Sequence, residues 1–311
     1  MTVELDPQIA EILRAASASG VPPVEQQSPP EARASYAALA RAQRGPVAEM
    51  HSVEDCDAEG VPLRIYRPVA TDEASPALVF FHGGGWVIGS VETHDGLARA
   101  LAERTGSVVV SVDYRLAPEH PYPAALDDSW TAASWVLAHA RRLCVDPARV
   151  GVAGDSAGGT LAAIVARKGR DAGTPFAAQL LVYPVGTTRT DSASWSLFAN
   201  GYGLTREAMT WFWQRYLGSI AMEDAIDDPD ISLLAPVSLA GLPPAVVVTA
   251  EADILRDEGE AYAALLAAAG VATETRRFAG MNHGFIRMGG LVERAKAALG
   301  EIADLFAALL A

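Results

Sequence analysis

Short apolar runs alternate with longer stretches of helical spacing along most of this chain. Residues 61–68 alternate apolar and polar positions as a half-buried strand does. Residues 77–81, 107–113, 149–153, 179–183 and 245–249 are brief and largely apolar, the pattern of buried strands, and 273–278 reads as a further strand. Between and after them, residues 96–104, 126–140, 160–170, 257–269 and a last segment near 291–310 carry the spacing of helices. Gly106, just past the first of these, is the residue type that tolerates a left-handed helix end. Repeated β-then-α order predicts an α/β fold, with a mainly parallel central sheet flanked by helices. In such sheets, functional side chains gather in the loops at the C-terminal ends of the strands.

Two regions break the rhythm. Residues 6–18 read as a helix opened by Asp6 with Pro7 in its first turn, and a second helix is expected over 31–43. Residues 188–224 hold no βα unit but collect Trp195, Phe198, Tyr202, Trp211, Phe212, Trp213 and Tyr216. The expected organisation is therefore an N-terminal helical cap over 1–45, an α/β body over 46–187 and 225–311, and a cap insertion over 188–224.

Composition narrows the partners more than the fold. With 311 residues, 50% hydrophobic and 20% charged, the chain can bury a sizeable core. A formal charge of −14 argues against nucleic acid or an anionic membrane and favours a small uncharged substrate, although a local pocket can override the global field. Cys56 and Cys144 are the only cysteines, which fits a reducing compartment and gives neither a disulfide framework nor a Cys-based metal site. Residues 1–30 lack a basic start followed by an apolar core, and no run approaches the ~20 residues of a membrane span. A cytoplasmic location is expected.

The chemistry concentrates in two glycine-rich segments, each directly after a predicted strand. Gly154-Asp155-Ser156-Ala157-Gly158-Gly159 has the Gly-x-Ser-x-Gly form of a nucleophile elbow, with a strand before it and a helix after it. The helix start lies under the serine, where its dipole favours developing negative charge. His82-Gly83-Gly84-Gly85-Trp86 follows the strand at 77–81. Three consecutive glycines weaken regular structure but let backbone N–H groups converge on one point, as an oxyanion hole requires. Gly83 and Gly84 are the expected loop donors, with Ala157 as the third. A phosphate-binding loop would need a following Lys-Ser/Thr or a dinucleotide fingerprint, and neither is present. His82 could serve as a base, but its place beside the glycines favours a loop-orienting role.

A serine nucleophile needs a base and an acid, in hydrolases of this architecture in the order Ser, Asp or Glu, His. His283 is the one histidine after Ser156, and it follows the strand at 273–278. Glu251 and Asp253 both lie just past the strand at 245–249. Asp257 and Glu258 sit where first-turn carboxylates stabilise a helix dipole. Asp253 is the expected acid, fixing the His283 tautomer, with Glu251 as a structural loop carboxylate.

With these motifs in this order, the chain resembles the hormone-sensitive-lipase-like (bacterial family IV) esterases of the α/β-hydrolase superfamily. The likeness runs from about residue 60 to 290. It includes Asp113-Tyr114-Arg115-Leu116-Ala117-Pro118-Glu119, Tyr122-Pro123-Ala124-Ala125, the stretch from Glu251 to Gly259, and His283-Gly284-Phe285. The resemblance implies a carboxylesterase for short- to medium-chain esters, catalytic Ser156, Asp253 and His283, and no metal or organic cofactor. Family members are often dimers, so a homodimer is part of the expectation. Trp86, Asp155, Tyr183, Phe198 and Trp213 are candidate pocket residues, with Trp195, Trp211 and Phe212 as further aromatic candidates from the cap. Two rival readings use the same fold: an amide or formamide hydrolase on the same triad, and a non-catalytic small-molecule receptor, against which His283 argues.

Overall fold

The computed structural model describes residues 3–71 and 73–311. Its centre is an eight-stranded sheet in the order β1-β2-β4-β3-β5-β6-β7-β8. The strands are β1 (Ser52–Ala58), β2 (Val61–Arg67), β3 (Ser75–Phe81), β4 (Val108–Val112), β5 (Val145–Asp155), β6 (Gln179–Val182), β7 (Ala245–Ala252) and β8 (Thr273–Asn282). From β4 to β8 every neighbouring pair is parallel, while β1 and β2 join as an antiparallel edge.

Side-chain alternation splits the core into two layers. Ala77, Val79 and Phe81 of β3 join one apolar cluster, and Leu78 and Phe80 join the other. This is the period-two alternation of a strand with both faces covered, so the run reads as continuously apolar. The helices α4 (Ala124–Ala138), α5 (Ala157–Asp171) and α8 (Arg256–Ala268) contribute to the first cluster. The second is closed by α3 (Asp95–Thr105) and α9 (Glu293–Ala307), which pack on each other. Gly106 ends α3 at φ 64°, the left-handed cap expected of it. Each Val, Leu or Phe fully buried in these layers contributes roughly 1.5–3 kcal/mol relative to exposure.

The edge strand β1 was not anticipated. Its residues are mostly exposed and include Glu54, Asp55 and Asp57, so apolar alternation does not mark it. Pairing with β2 holds it, helped by the Asp55–Arg64 ion pair at 2.6 Å.

Helices α1 (Pro7–Ala18) and α2 (Pro29–Gln43) precede the sheet, and α6 (Ala193–Leu197) and α7 (Arg206–Leu217) occupy the 188–224 segment. Asp6 caps α1 by accepting the Gln8 N–H at 2.9 Å. Arg33 fastens α2 to the body, donating to Val87 O at 2.8 Å and pairing with Glu119 at 2.6 Å. Among the described residues, no helix is long and apolar enough to cross a membrane.

Candidate active site

Four strand ends deliver the expected side chains to one place. Strand β5 runs straight into Ser156, which turns sharply before α5 begins. Ser156 has φ 55° and ψ −123°, a conformation that costs a non-glycine residue about 1–3 kcal/mol. Its N–H donates to Val182 O of β6 at 2.8 Å, which holds the turn against the sheet. The flanking glycines are required by proximity: a Cβ on Gly158 would lie 1.9 Å from Phe81 O, and one on Gly154 would lie 2.2 Å from Gly158 O. The elbow and the end of β3 are thus pressed together backbone to backbone.

His283 follows β8 and reaches both partners. Its Nε2 lies 2.9 Å from Ser156 Oγ, and its Nδ1 lies 2.7 Å from Asp253 Oδ2. Asp253, just past β7, is buried, and its Oδ1 accepts the Leu255 N–H at 2.9 Å. The Tyr183 ring sits 4.6 Å from the His283 ring, centre to centre. Glu251, the alternative acid, is turned away and accepts the Gly280 N–H at 2.8 Å, the structural role expected for it.

The glycine loop corrects one expectation. The Gly83 N–H is donated to Asp155 Oδ1 at 2.9 Å, so it is not free for an oxyanion. Gly84 and Gly85, with φ 127° and 57°, line the cavity in front of Ser156. Neither of their N–H groups has an acceptor among the described residues. The pair of available donors therefore moves one residue along, from Gly83 and Gly84 to Gly84 and Gly85. Ala157, at the first position of α5, offers the third N–H.

Asp155 anchors this loop from beneath. Its Oδ1 also lies 3.3 Å from His94 Nε2, without the alignment of a hydrogen bond. Burial alone would push the Asp155 carboxyl up; the His94 ring, Arg287 and the Gly83 N–H outweigh it and hold it at about 2. His82 is buried and stacked on Tyr114 at 4.2 Å, with its Nδ1 2.9 Å from Gly83 O. Burial, reinforced by His94, pushes the His82 ring down to about 3, so it is neutral near pH 7. It orients the loop as expected.

The cavity at Ser156 has a volume of about 300 Å³. Its walls come from α1 (Ile12, Leu13, Ala16), α2 (Tyr36, Leu39, Gln43), α7 (Met209, Phe212) and the segment following His283 (Arg287, Met288). Of the pocket residues expected from sequence, Asp155 lines it. Trp86 instead stacks on Tyr216 at 4.2 Å and packs against Trp213 at 4.8 Å. Phe198 packs edge-on against Tyr202 at 5.0 Å, and Tyr183 lies buried beneath His283. Met209, Phe212, Trp213 and Tyr216 share one buried face of α7, and tertiary contacts divide it: Met209 and Phe212 line the cavity, while Trp213 and Tyr216 pack on Trp86. The helical period marks this face as buried but does not separate the two sets. Among the cap aromatics, Phe212 does line the cavity. Neither Cys56 nor Cys144 does. Among the described residues, no cluster of three or more His, Cys, Asp or Glu has a metal-holding arrangement.

Known proteins share this arrangement of chain. Residues 78–287 match the alpha/beta hydrolase fold family. The carboxylesterase NlhH of Mycobacterium tuberculosis is 43% identical over 241 residues, covering 77% of this chain and 76% of that protein. An ethyl acetate hydrolase of Pseudomonas putida is 35% identical over 307 residues, 94% of this chain and 95% of that protein. Among solved structures, a thermostable esterase from Pseudomonas putida superposes with a TM-score of 0.94 at 38% identity, covering 100% of this chain and 99% of that one. A hyperthermophilic esterase from the archaeon Pyrobaculum calidifontis gives 0.90 at 38% identity, covering 99% and 100%. The chain belongs to the hormone-sensitive-lipase-like esterases of the α/β-hydrolase superfamily, and it is a carboxylic-ester hydrolase.

Proposed function

We propose that Ser156, His283 and Asp253 are the nucleophile, base and acid of this hydrolase, and that it acts on short- to medium-chain esters. The observation that carries the reading is the unbroken line from Asp253 Oδ2 through His283 to Ser156 Oγ, with contacts of 2.7 and 2.9 Å. His283 Nε2 takes the Ser156 proton as Oγ attacks the ester carbonyl. The carbonyl oxygen becomes an oxyanion held by the N–H groups of Gly84, Gly85 and Ala157. Collapse expels the alcohol, which receives the proton from His283. Water then attacks the acyl-serine by the same route and releases the acid. Asp253 keeps Nδ1 protonated and stabilises the imidazolium without taking the proton.

The size of the substrate follows from the cavity. A volume of about 300 Å³ is at the small end for ligand pockets, and Ile12, Leu13, Leu39, Met209 and Phe212 make the walls mainly apolar. Neutral esters with short or medium acyl chains fit this space. Helices 1–45 and segment 188–224 act as the cap, since both supply walls of the cavity.

The test is a rate profile over p-nitrophenyl esters from acetate to palmitate, with Ser156→Ala as the blank. The expected maximum lies among the short and medium chains, and the variant should retain no rate above background. A maximum at palmitate would overturn the assignment of chain length.

A further inference from the structure

Among the described residues, Arg287 is the one arginine or lysine lining the cavity at Ser156; its charge helps hold Asp155 ionised, but no step of the ester mechanism uses its N–H donors. It lies four residues after His283, at the end of a short 3₁₀ turn (Phe285–Arg287). Its Nη2 reaches back to the His283 loop, lying 3.1 Å from where a Cβ on Gly284 would stand. Its Nε and Nη1 are buried out of reach with no hydrogen-bond acceptor, and Nη2, which also has none among the described residues, is the donor left accessible. No carboxylate among the described residues comes within 4.0 Å of its nitrogens.

Leaving guanidinium N–H groups buried and unpaired is costly, so native structures rarely do it without a ligand or a water in mind. Packing explains only half of this side chain. The guanidinium stands over the Tyr36 ring at 4.8 Å, a cation–π contact that uses its flat face. The N–H groups point in the plane of the fork and are not consumed by such stacking. Among the described residues, Asp155 is the acid on the cavity wall; its charge reaches Arg287 but it forms no direct pair with it. Its carboxylate is engaged by the Gly83 N–H and His94. On its other side Arg287 faces a second concavity, where Arg44, Arg104 and Lys296 outnumber Glu103. No acid there neutralises it either.

A stacked guanidinium held in place with Nη2 free is suited to donate to one oxygen of a carboxylate. We propose that Arg287 forms an anion subsite in the ester pocket, so that the enzyme prefers esters whose far end carries a carboxylate, such as monoesters of short dicarboxylic acids. The inference rests on the ester-hydrolase reading of the same cavity. It reverses locally what the net charge of −14 suggests about substrates. The carboxylate can sit on the acyl arm or on the alcohol arm; the chemistry recognised by Arg287 is the same.

Two matched pairs test the proposal and separate the arms. Monoethyl glutarate against ethyl pentanoate probes the acyl side, and 4-acetoxybutanoate against butyl acetate probes the alcohol side, with hydrolysis followed by pH-stat. In at least one pair the wild-type enzyme should favour the carboxylate ester in kcat/KM, chiefly through a lower KM. In Arg287→Gln the ratio of carboxylate to neutral ester within that pair should drop about 10- to 100-fold, the worth of a charged hydrogen-bonded contact. Arg287→Lys should recover part of it. If wild type favours the neutral ester in both pairs, or the ratio is the same in Arg287→Gln as in wild type, the subsite does not exist. Should the variant fail to fold, the wild-type ratios decide alone. Failure to hydrolyse even the neutral members would instead count against the ester-hydrolase reading.

Discussion

Asp155 offers the sharpest perturbation of the oxyanion loop, because one carboxylate oxygen holds the loop in register. Replacing Asp155 with Ala removes the acceptor of the Gly83 N–H, a contact of 2.9 Å between positions 72 apart in sequence. A hydrogen bond to a charged partner is worth about 1.5–3 kcal/mol, and each 1.36 kcal/mol of lost transition-state stabilisation is tenfold in rate. If the anchor sets the positions of the Gly84 and Gly85 N–H groups, kcat falls about 100-fold in Asp155→Ala. In Asp155→Asn, whose side-chain oxygen can still accept, the fall is about 10-fold. The same change costs stability. The Asp155 carboxyl drops from 3.8 to about 2 on folding, which corresponds to about 2 kcal/mol. Because the folded value is the lower one, this stabilisation is present above the unfolded value and lost as pH falls through about 2. The assay is initial-rate kinetics on p-nitrophenyl butyrate, with circular dichroism and thermal unfolding to establish that the variants are folded. A folded Asp155→Ala enzyme with kcat within about threefold of wild type would refute the anchoring role.

Three other outcomes follow from buried groups. Burial pushes the Glu258 carboxyl well above its ordinary 4.5, so Glu258→Gln should match or exceed wild type in stability at pH 7. That advantage should shrink by pH 5 in urea unfolding, because the unfolded state alone has been gaining from ionisation above 4.5; a growing gap would contradict the account. His82 works in the opposite sense. Its folded ring, at about 3, resists protonation, so wild type should lose about 2 kcal/mol more than His82→Asn between pH 7 and pH 5 as the unfolded ring charges below about 6.5. Equal slopes for the two proteins would rule this out. Phe212→Ala should open the cavity wall by roughly two methylenes, raising the octanoate-to-butyrate ratio of kcat/KM about tenfold at ~0.8 kcal/mol per CH₂. An unchanged ratio would place Phe212 outside the acyl path.

The parts of this molecule that could be read from the chain are those fixed by local pattern. The inner parallel strands are buried on both faces and announce themselves as apolar runs, and the candidate nucleophile and acid sit at the ends of two of them; the base follows the more polar edge strand β8. Strand β1 escaped because six of its seven residues are not fully buried and several are acidic. The register of the oxyanion loop could not be read, since three adjacent glycines look alike until Asp155 claims the N–H of the first. Trp86, Phe198 and Trp213 went to packing rather than to the pocket, because tertiary contacts that helical spacing does not show chose their partners. Arg287 drew no notice in the sequence because an unpaired cation is a tertiary fact: any of the chain's 38 acidic residues could have been its partner.

Fluorophosphonate labelling tests the central claim most directly. The reagent requires a serine activated by a base and a lined-up oxyanion hole, and intact mass followed by peptide mapping locates the adduct. The account predicts one adduct per chain, on the peptide that carries Ser156. It should be absent in Ser156→Ala and formed much more slowly in His283→Ala. An adduct on another residue, or equal labelling of Ser156→Ala and wild type, would contradict it.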